Sequence, residues 1–169
     1  MNKNVSIYWI RKDLRVYDNP ALVASVENGA VLPIYILDDT NPGEHKLGSA
    51  SRIWLHQSLE KLNKKFNNNL KFFKGNPIDI LANICETEKI YKIFWNRVYE
   101  PWSIQRDKKI KDTLKVKGID INSFNGSLLW EPWEVLKNDG TSYRVFTPYY
   151  RRGCLRAKEP RVPMNTPNK

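Results

Sequence analysis

The residues best equipped for chemistry stand in a charged run after an apolar stretch: Trp9-Ile10-Arg11-Lys12-Asp13-Leu14-Arg15, closed by Asp18-Asn19-Pro20. Three cations around one carboxylate could hold an anion or fix a turn. Pairing of Arg11 and Arg15 with Asp13 and Asp18 favours the turn. Asp38-Asp39-Thr40 follows a second apolar run, and Asn96-Arg97-Val98-Tyr99-Glu100-Pro101-Trp102 follows a later one. A crevice lined by Trp9, Asp38, Asn96, Glu100 and Trp102 suits a planar heteroaromatic molecule. Indole stacks on the ring, while carboxylate and amide groups read its N–H and carbonyl edges. Plainer roles fit the same residues. Asp38 and Asp39 are good turn formers. Glu100 before Pro101 is stabilised by a helix N-terminus without any ligand. Trp54 reads as a core residue, and His45 lies in a Pro42-Gly43-Glu44 loop.

Several chemistries lack a signature. There is no G-x-G-x-x-G loop and no Walker loop. No Ser or Cys stands in a motif with a His–acid pair, so nucleophilic catalysis has no support. His45 and His56 do not cluster, and Cys85 and Cys154 form no C-x-x-C pair. The expectation is no metal, and free thiols in a reducing, cytoplasmic setting. From its residues this is a binding domain rather than a catalyst.

The elements that must position these residues alternate. Short apolar runs predict strands at 5–10, 30–37, 70–74, 92–95 and 119–124. Helical patterns fall at 19–27, 50–66, 77–88 and 101–116. In the second helix Ile53, Leu55, Leu59, Leu62 and Phe66 form a stripe toward the core. Asn19 or Asp18 can cap the first helix, with Pro20 in its first turn. Asn76 and Pro77 repeat that pattern, and Gly118 stops the fourth helix. Alternation with short connections means an α/β fold: a doubly wound sheet of about five parallel strands with helices on both faces.

The chain has 169 residues, a hydrophobic fraction of 41%, a charged fraction of 27% and a formal net charge of +10. That suits one globular domain. No apolar run approaches the roughly 20 residues of a membrane helix, and no signal peptide opens the chain. The basic excess points to polyanion partners. It sharpens at the end, where Arg144, Arg151, Arg152, Arg156, Lys158, Arg161 and Lys169 face only Glu159. Residues 1–153 read as the domain. Residues 154–169, with Pro160, Pro163 and Pro167, read as an extended linker or disordered end.

The order Trp9-x-Arg11-x-Asp13-Leu14-Arg15 with Asp18-Asn19 resembles the start of the DNA photolyase/cryptochrome family. Three further blocks resemble it in register: Gly48-Ser49-Ala50-Ser51-Arg52-Ile53-Trp54-Leu55-His56, Phe94-Trp95-Asn96-Arg97-Val98-Tyr99-Glu100-Pro101-Trp102, and Tyr143-Arg144-Val145-Phe146-Thr147-Pro148-Tyr149-Tyr150. The resemblance covers the N-terminal part of the family's length. It implies a Rossmann-like domain that holds or borders an antenna chromophore, a methenyl folate or a deazaflavin. FAD and the flipped-out pyrimidine dimer belong to a helical domain in the same or a separate chain, and damaged DNA is met through the full-length protein. Deoxyribodipyrimidine photolyase activity is therefore not expected of these residues alone.

The resemblance also nominates residues. His45 falls where some folate-binding members use a histidine. Asn96 and Glu100 match the Trp-Asn-x-x-x-Glu-Pro signature bordering the antenna pocket, and Arg97 and Trp102 match a further bacterial group associated with folate. With Asp38 and Arg52 they make the cofactor-binding set. Trp102 and Ser103 replace the Asn-Glu pair of some folate-binding members. Val98 replaces the acidic residue of deazaflavin-type members, which argues against deazaflavin, and the likeness at Arg97 and Trp102 implies methenyltetrahydrofolate as the antenna. The Val145–Tyr149 stretch is assigned to packing, and Tyr149, Tyr150, Trp130 and Trp133 to a face for the helical domain. The competing readings are a cryptochrome-type photoreceptor domain, a stand-alone nucleic-acid or partner-binding module, and an unrelated nucleotide-binding sheet.

Overall fold

The apolar run Val5–Ile10 is β1, the centre of the sheet, and its alternation sorts the molecule into layers. Ile7 and Trp9 turn to one face, Tyr8 and Ile10 to the other, and all four are buried. A computed structural model describes residues 4–168. The other strands are β2 (Ala30–Leu37), β3 (Lys71–Lys74), β4 (Lys92–Asn96) and β5 (Asp120–Phe124). They pair in parallel in the order β3-β2-β1-β4-β5. The helices are α1 (Pro20–Asn28), α2 (Ser49–Lys65), α3 (Pro77–Glu88) and α4 (Pro101–Val116). Ile7, Trp9, Ile93 and Trp95 pack with Leu81 and Ile84 of α3 and Ile110 and Leu114 of α4. Tyr8, Ile10 and Phe94 pack with Ala21 and Leu22 of α1 and Leu59 and Leu62 of α2. The sheet is doubly wound with helices on both faces, as predicted.

The predicted caps are present. Asn19 accepts from Leu22 N, with Pro20 opening α1, and Asn76 accepts from Ile78 N, with Pro77 opening α3. Gly118, at φ +75°, follows α4 in the left-handed region where glycine is unstrained. The α2 stripe needs one correction. Leu59 and Leu62 are buried, and Leu55 and Phe66 pack against them, but Ile53 is 63% exposed. At about 3.6 residues per turn, two positions before Leu55 is more than half-way round the helix.

The loop from β1 to α1 is closed by polar groups that sequence reading split differently. Arg15 donates to the Asp18 carbonyl and lies 3.7 Å from its carboxylate, as expected. The Arg11 backbone N donates to Asp13 Oδ1 at 3.3 Å, but its guanidinium does not pair with Asp13 and reaches Asp107 of α4. Asn96, at the end of β4, donates to Asp13 at 2.6 Å and Asn19 at 2.7 Å, and accepts from Ala21 N at 3.2 Å. Asn19 in turn donates to Tyr8 Oη at 2.6 Å, and burial pushes the Tyr8 phenol well above its ordinary pKa. Gly126 passes so close that an added Cβ would lie 2.5 Å from Asn96 Cγ. Met164 returns to this loop, exchanging hydrogen bonds with Asp18.

By their contacts, residues 4–126 and 164–168 form one unit, and Ser127–Pro163 another. The second has few regular elements: a helical turn at Phe146–Pro148 runs into Tyr149–Gly153 and Cys154–Arg156. Val135 is its buried large apolar residue, with Gly153 backed against it, and Glu131 is buried as well. Within this chain the Val145–Tyr149 stretch, assigned to packing, leaves Val145 63% and Phe146 73% exposed. Phe146 stacks instead on Tyr150. Among the described residues no helix is long and apolar enough to cross a membrane.

Two stability measurements follow. Leu59→Ala lowers unfolding free energy by about 2–4 kcal/mol in urea titration, whereas Ile53→Ala changes it by less than about 0.5 kcal/mol. Equal losses would mean that Ile53 is part of the core stripe. Asn96→Ala strands the Asp13, Asn19 and Ala21 partners and costs about 2–4 kcal/mol in the same titration. A loss within about 0.5 kcal/mol would show that water replaces the amide.

Candidate functional site

Winding runs from β1 to β2 and β3 on one side and from β4 to β5 on the other, so it reverses between β1 and β4. Ligands of open α/β sheets settle beyond the strand carboxyl ends near such a point. A cleft of about 920 Å³ opens beside that point, toward β2, lined from the ends of β1 and β2, the loop into α2, and the β4–α4 connection.

Its floor is aromatic and ionic. Trp9 meets Trp95 edge to face, with centroids 5.3 Å apart. The Arg106 guanidinium lies 5.1 Å from the Trp9 ring and 5.0 Å from the Trp102 ring, and Arg11 lies over both Trp9 and Trp95. Arg106 is held by Asp38 at 3.1 Å and Asp107 at 2.9 Å. Arg11 is held by Asp107 and the Asn96 carbonyl. Burial pulls the Arg11 guanidinium below its ordinary pKa, against the opposing pull of Asp107.

The rim offers unengaged groups. Glu100 precedes α4 and meets Lys12 through Oε1. Its Oε2 is buried without a hydrogen-bond partner among the described residues, as are Ser103 Oγ and Trp9 Nε1. All three residues line the cleft. Burial, then the nearby Arg106, lowers the Lys12 ammonium below its ordinary pKa. Trp54 is 75% exposed and lines the cleft from α2, so it is a wall rather than the core residue expected. One position before Leu55, it leaves the buried stripe by about a quarter turn.

The structure brings together Asp38, His45, Glu100 and Trp102 in the lining. Of these, Asp38 is already engaged: Oδ2 takes Arg106, and Oδ1 accepts from Thr40 N and Asn41 N. It is both a turn former and an ion-pair partner. Arg52, Asn96 and Arg97 do not line the cleft. Arg52 forms a two-pronged pair with Asp39 and donates to the Leu47 carbonyl, which braces the loop into α2. This pairing holds the Asp39 carboxyl below its usual range. Arg97 bonds Ser123 of β5 at 3.2 Å, and Asn96 joins β4 to α1 as described above.

Arg106 and Asp107 escaped sequence reading, and Ser103 and Trp54 were given no place in the site. One signal was available. Ser103, Arg106, Asp107, Ile110 and Leu114 recur at helical spacing, and all are buried. Charged residues in register with an apolar stripe are expected to have partners inside.

A family model described as DNA photolyase matches residues 6–168. A deoxyribodipyrimidine photo-lyase of Agrobacterium fabrum is 37% identical over 95% of the chain and 34% of that protein. Cryptochrome-2 of Arabidopsis thaliana is 36% identical over 89% of the chain and 25% of that protein. The crystal structure of a class III photolyase from Agrobacterium tumefaciens superposes with a TM-score of 0.89 at 35% identity, covering 99% of this chain and 35% of that one. The chain spans about a quarter to a third of the length of these relatives. With the family model matched along nearly its whole length, the chain belongs to the DNA photolyase family.

Proposed function

We propose that residues 1–153 are the antenna-chromophore-binding domain of a photolyase-type protein, and that the cleft takes a planar heteroaromatic chromophore, methenyltetrahydrofolate. The observation that carries this reading is the pairing of tryptophan walls with the buried, unpartnered Glu100 Oε2 at the rim. A folate pterin presents ring N–H donors that a carboxylate oxygen accepts, and a flat face that indole covers. Glu100 would read the pterin edge, Ser103 Oγ and Trp9 Nε1 could meet its acceptors, and Trp54 and Trp102 would bound its face. Val98 lines the cleft where deazaflavin-type members carry an acid, which favours folate. Once bound, such a group supplies near-UV absorption; the chain's own residues bind it, orient it and keep water from its ring.

FAD and damaged DNA belong to a helical domain within the length of the relatives that this chain does not span. Residues 154–169 would lead toward it. Trp133, Phe146, Tyr150 and Leu155, 60%, 73%, 47% and 63% exposed, supply apolar surface of the kind that domain would cover. A cryptochrome photoreceptor is the second reading, favoured by an identity to Cryptochrome-2 that nearly equals the identity to the photo-lyase.

An absorption titration with methenyltetrahydrofolate tests the reading. A protein-bound near-UV band, shifted to the red of the free pterin, is expected. Trp54→Ala, exposed and outside the core, weakens binding by about twofold to tenfold, the value of one aromatic contact. No bound band at saturating folate overturns the antenna assignment.

A further inference from the structure

The rim of the cleft holds an ion pair that is only half made. Lys12 follows β1, Glu100 precedes α4, and 88 positions separate them. Lys12 Nζ engages Glu100 Oε1, while Oε2 of the same carboxylate is buried without a partner. An ionised carboxylate accepts through both oxygens, and a buried one left unpaired is costly. The lysine is poorly placed to complete the pair. Its side chain is 66% exposed, and the neighbouring Arg106 repels its charge. An exposed lysine pair contributes little net stability. The other cations of the floor are held elsewhere, Arg106 by Asp38 and Asp107, Arg11 by Asp107 and the Asn96 carbonyl. Lys12 is therefore the cation at Glu100, and a loosely held one.

We propose that Lys12 is an exchangeable cap on the cleft: in the ligand-free protein its ammonium occupies Glu100, and a heteroaromatic carrying two adjacent N–H donors displaces it, filling both carboxylate oxygens. This rests on the reading of the cleft as a chromophore site. Lys12 is then a competitor for the ligand position, which sets it apart from a residue that shapes the cleft, because its loss strengthens binding.

Two measurements on the 169-residue chain test this. In the first, lysine acylation is followed site by site by mass spectrometry without ligand. Lys12 acylates faster in Glu100→Gln than in the unaltered chain; equal rates mean that no cap exists and overturn the proposal whatever binds in the cleft. In the second, methenyltetrahydrofolate is titrated by absorption. Lys12→Met binds it about twofold to fivefold more tightly, the range of an exposed ion pair. Lys12→Arg, whose fork can hold both oxygens, binds it more weakly. Weaker binding by Lys12→Met assigns the lysine a supporting role and overturns the cap. If acylation shows the pair but no variant binds folate, the antenna reading fails, and Lys12–Glu100 stands as an ordinary surface pair, which also overturns its exchange.

Discussion

The buried ionic chain Asp38–Arg106–Asp107–Arg11 is the constraint on which the cleft depends. It joins the end of β2, the middle of α4 and the end of β1. Placing charges beneath a sheet end is expensive unless each is paired and hydrogen-bonded. Here each guanidinium has a carboxylate and an indole face, and Arg11 adds the Asn96 carbonyl. Removing Arg106 would leave Asp38 without its cation, and removing Asp107 would leave Arg11 without its carboxylate, so the chain holds as a unit. That unit fixes the position of α4 over Trp9, and so the depth of the cleft.

Asn96 performs the matching task at the switch point itself. Its carbonyl receives Arg11 and its side chain joins Asp13, Asn19 and Ala21. The gap between β1 and β4, where an open sheet would offer a crevice, is thus filled by amides. The open volume lies instead toward β2 and the loop into α2. This explains why a signature asparagine beside the site does not face it. It holds together the β1–α1 loop that carries Lys12 to the rim.

Most of the architecture was legible because it rests on local rules. Apolar runs gave the strands, and Asn-Pro pairs marked the starts of α1 and α3. The candidate site was legible at the ends of β1 and β4, where Glu100 and Trp102 stand in a recognisable block. It was not legible where a residue's role depends on distant partners. Arg106-Asp107 reads as part of the solvated run Gln105–Lys109 until Asp38 and Arg11 are brought to it from other strands. Ile53 and Trp54 failed for a geometric reason, since a stripe read by composition tolerates residues that a helix of fixed pitch turns outward. Phe146 was assigned to packing on the likeness of its block to a family stretch near the domain junction, whereas within this chain it lies on the surface.

The cleft's selectivity follows from which charges are already engaged. The chain carries a formal net charge of +10, yet the cations nearest the cleft floor are neutralised by Asp38 and Asp107. An anionic ligand would find only Lys12, and Glu100 already faces that ammonium. A flat molecule with N–H donors finds a buried acceptor at Glu100 and indole surface at Trp54 and Trp102. On the proposed reading the basic surface and the cleft address different partners. The surplus charge lies on exposed lysines and along the basic run from Arg144, where screening by salt acts on it. On the proposed reading, recognition in the cleft rests on shape and on the ligand's hydrogen-bond donors.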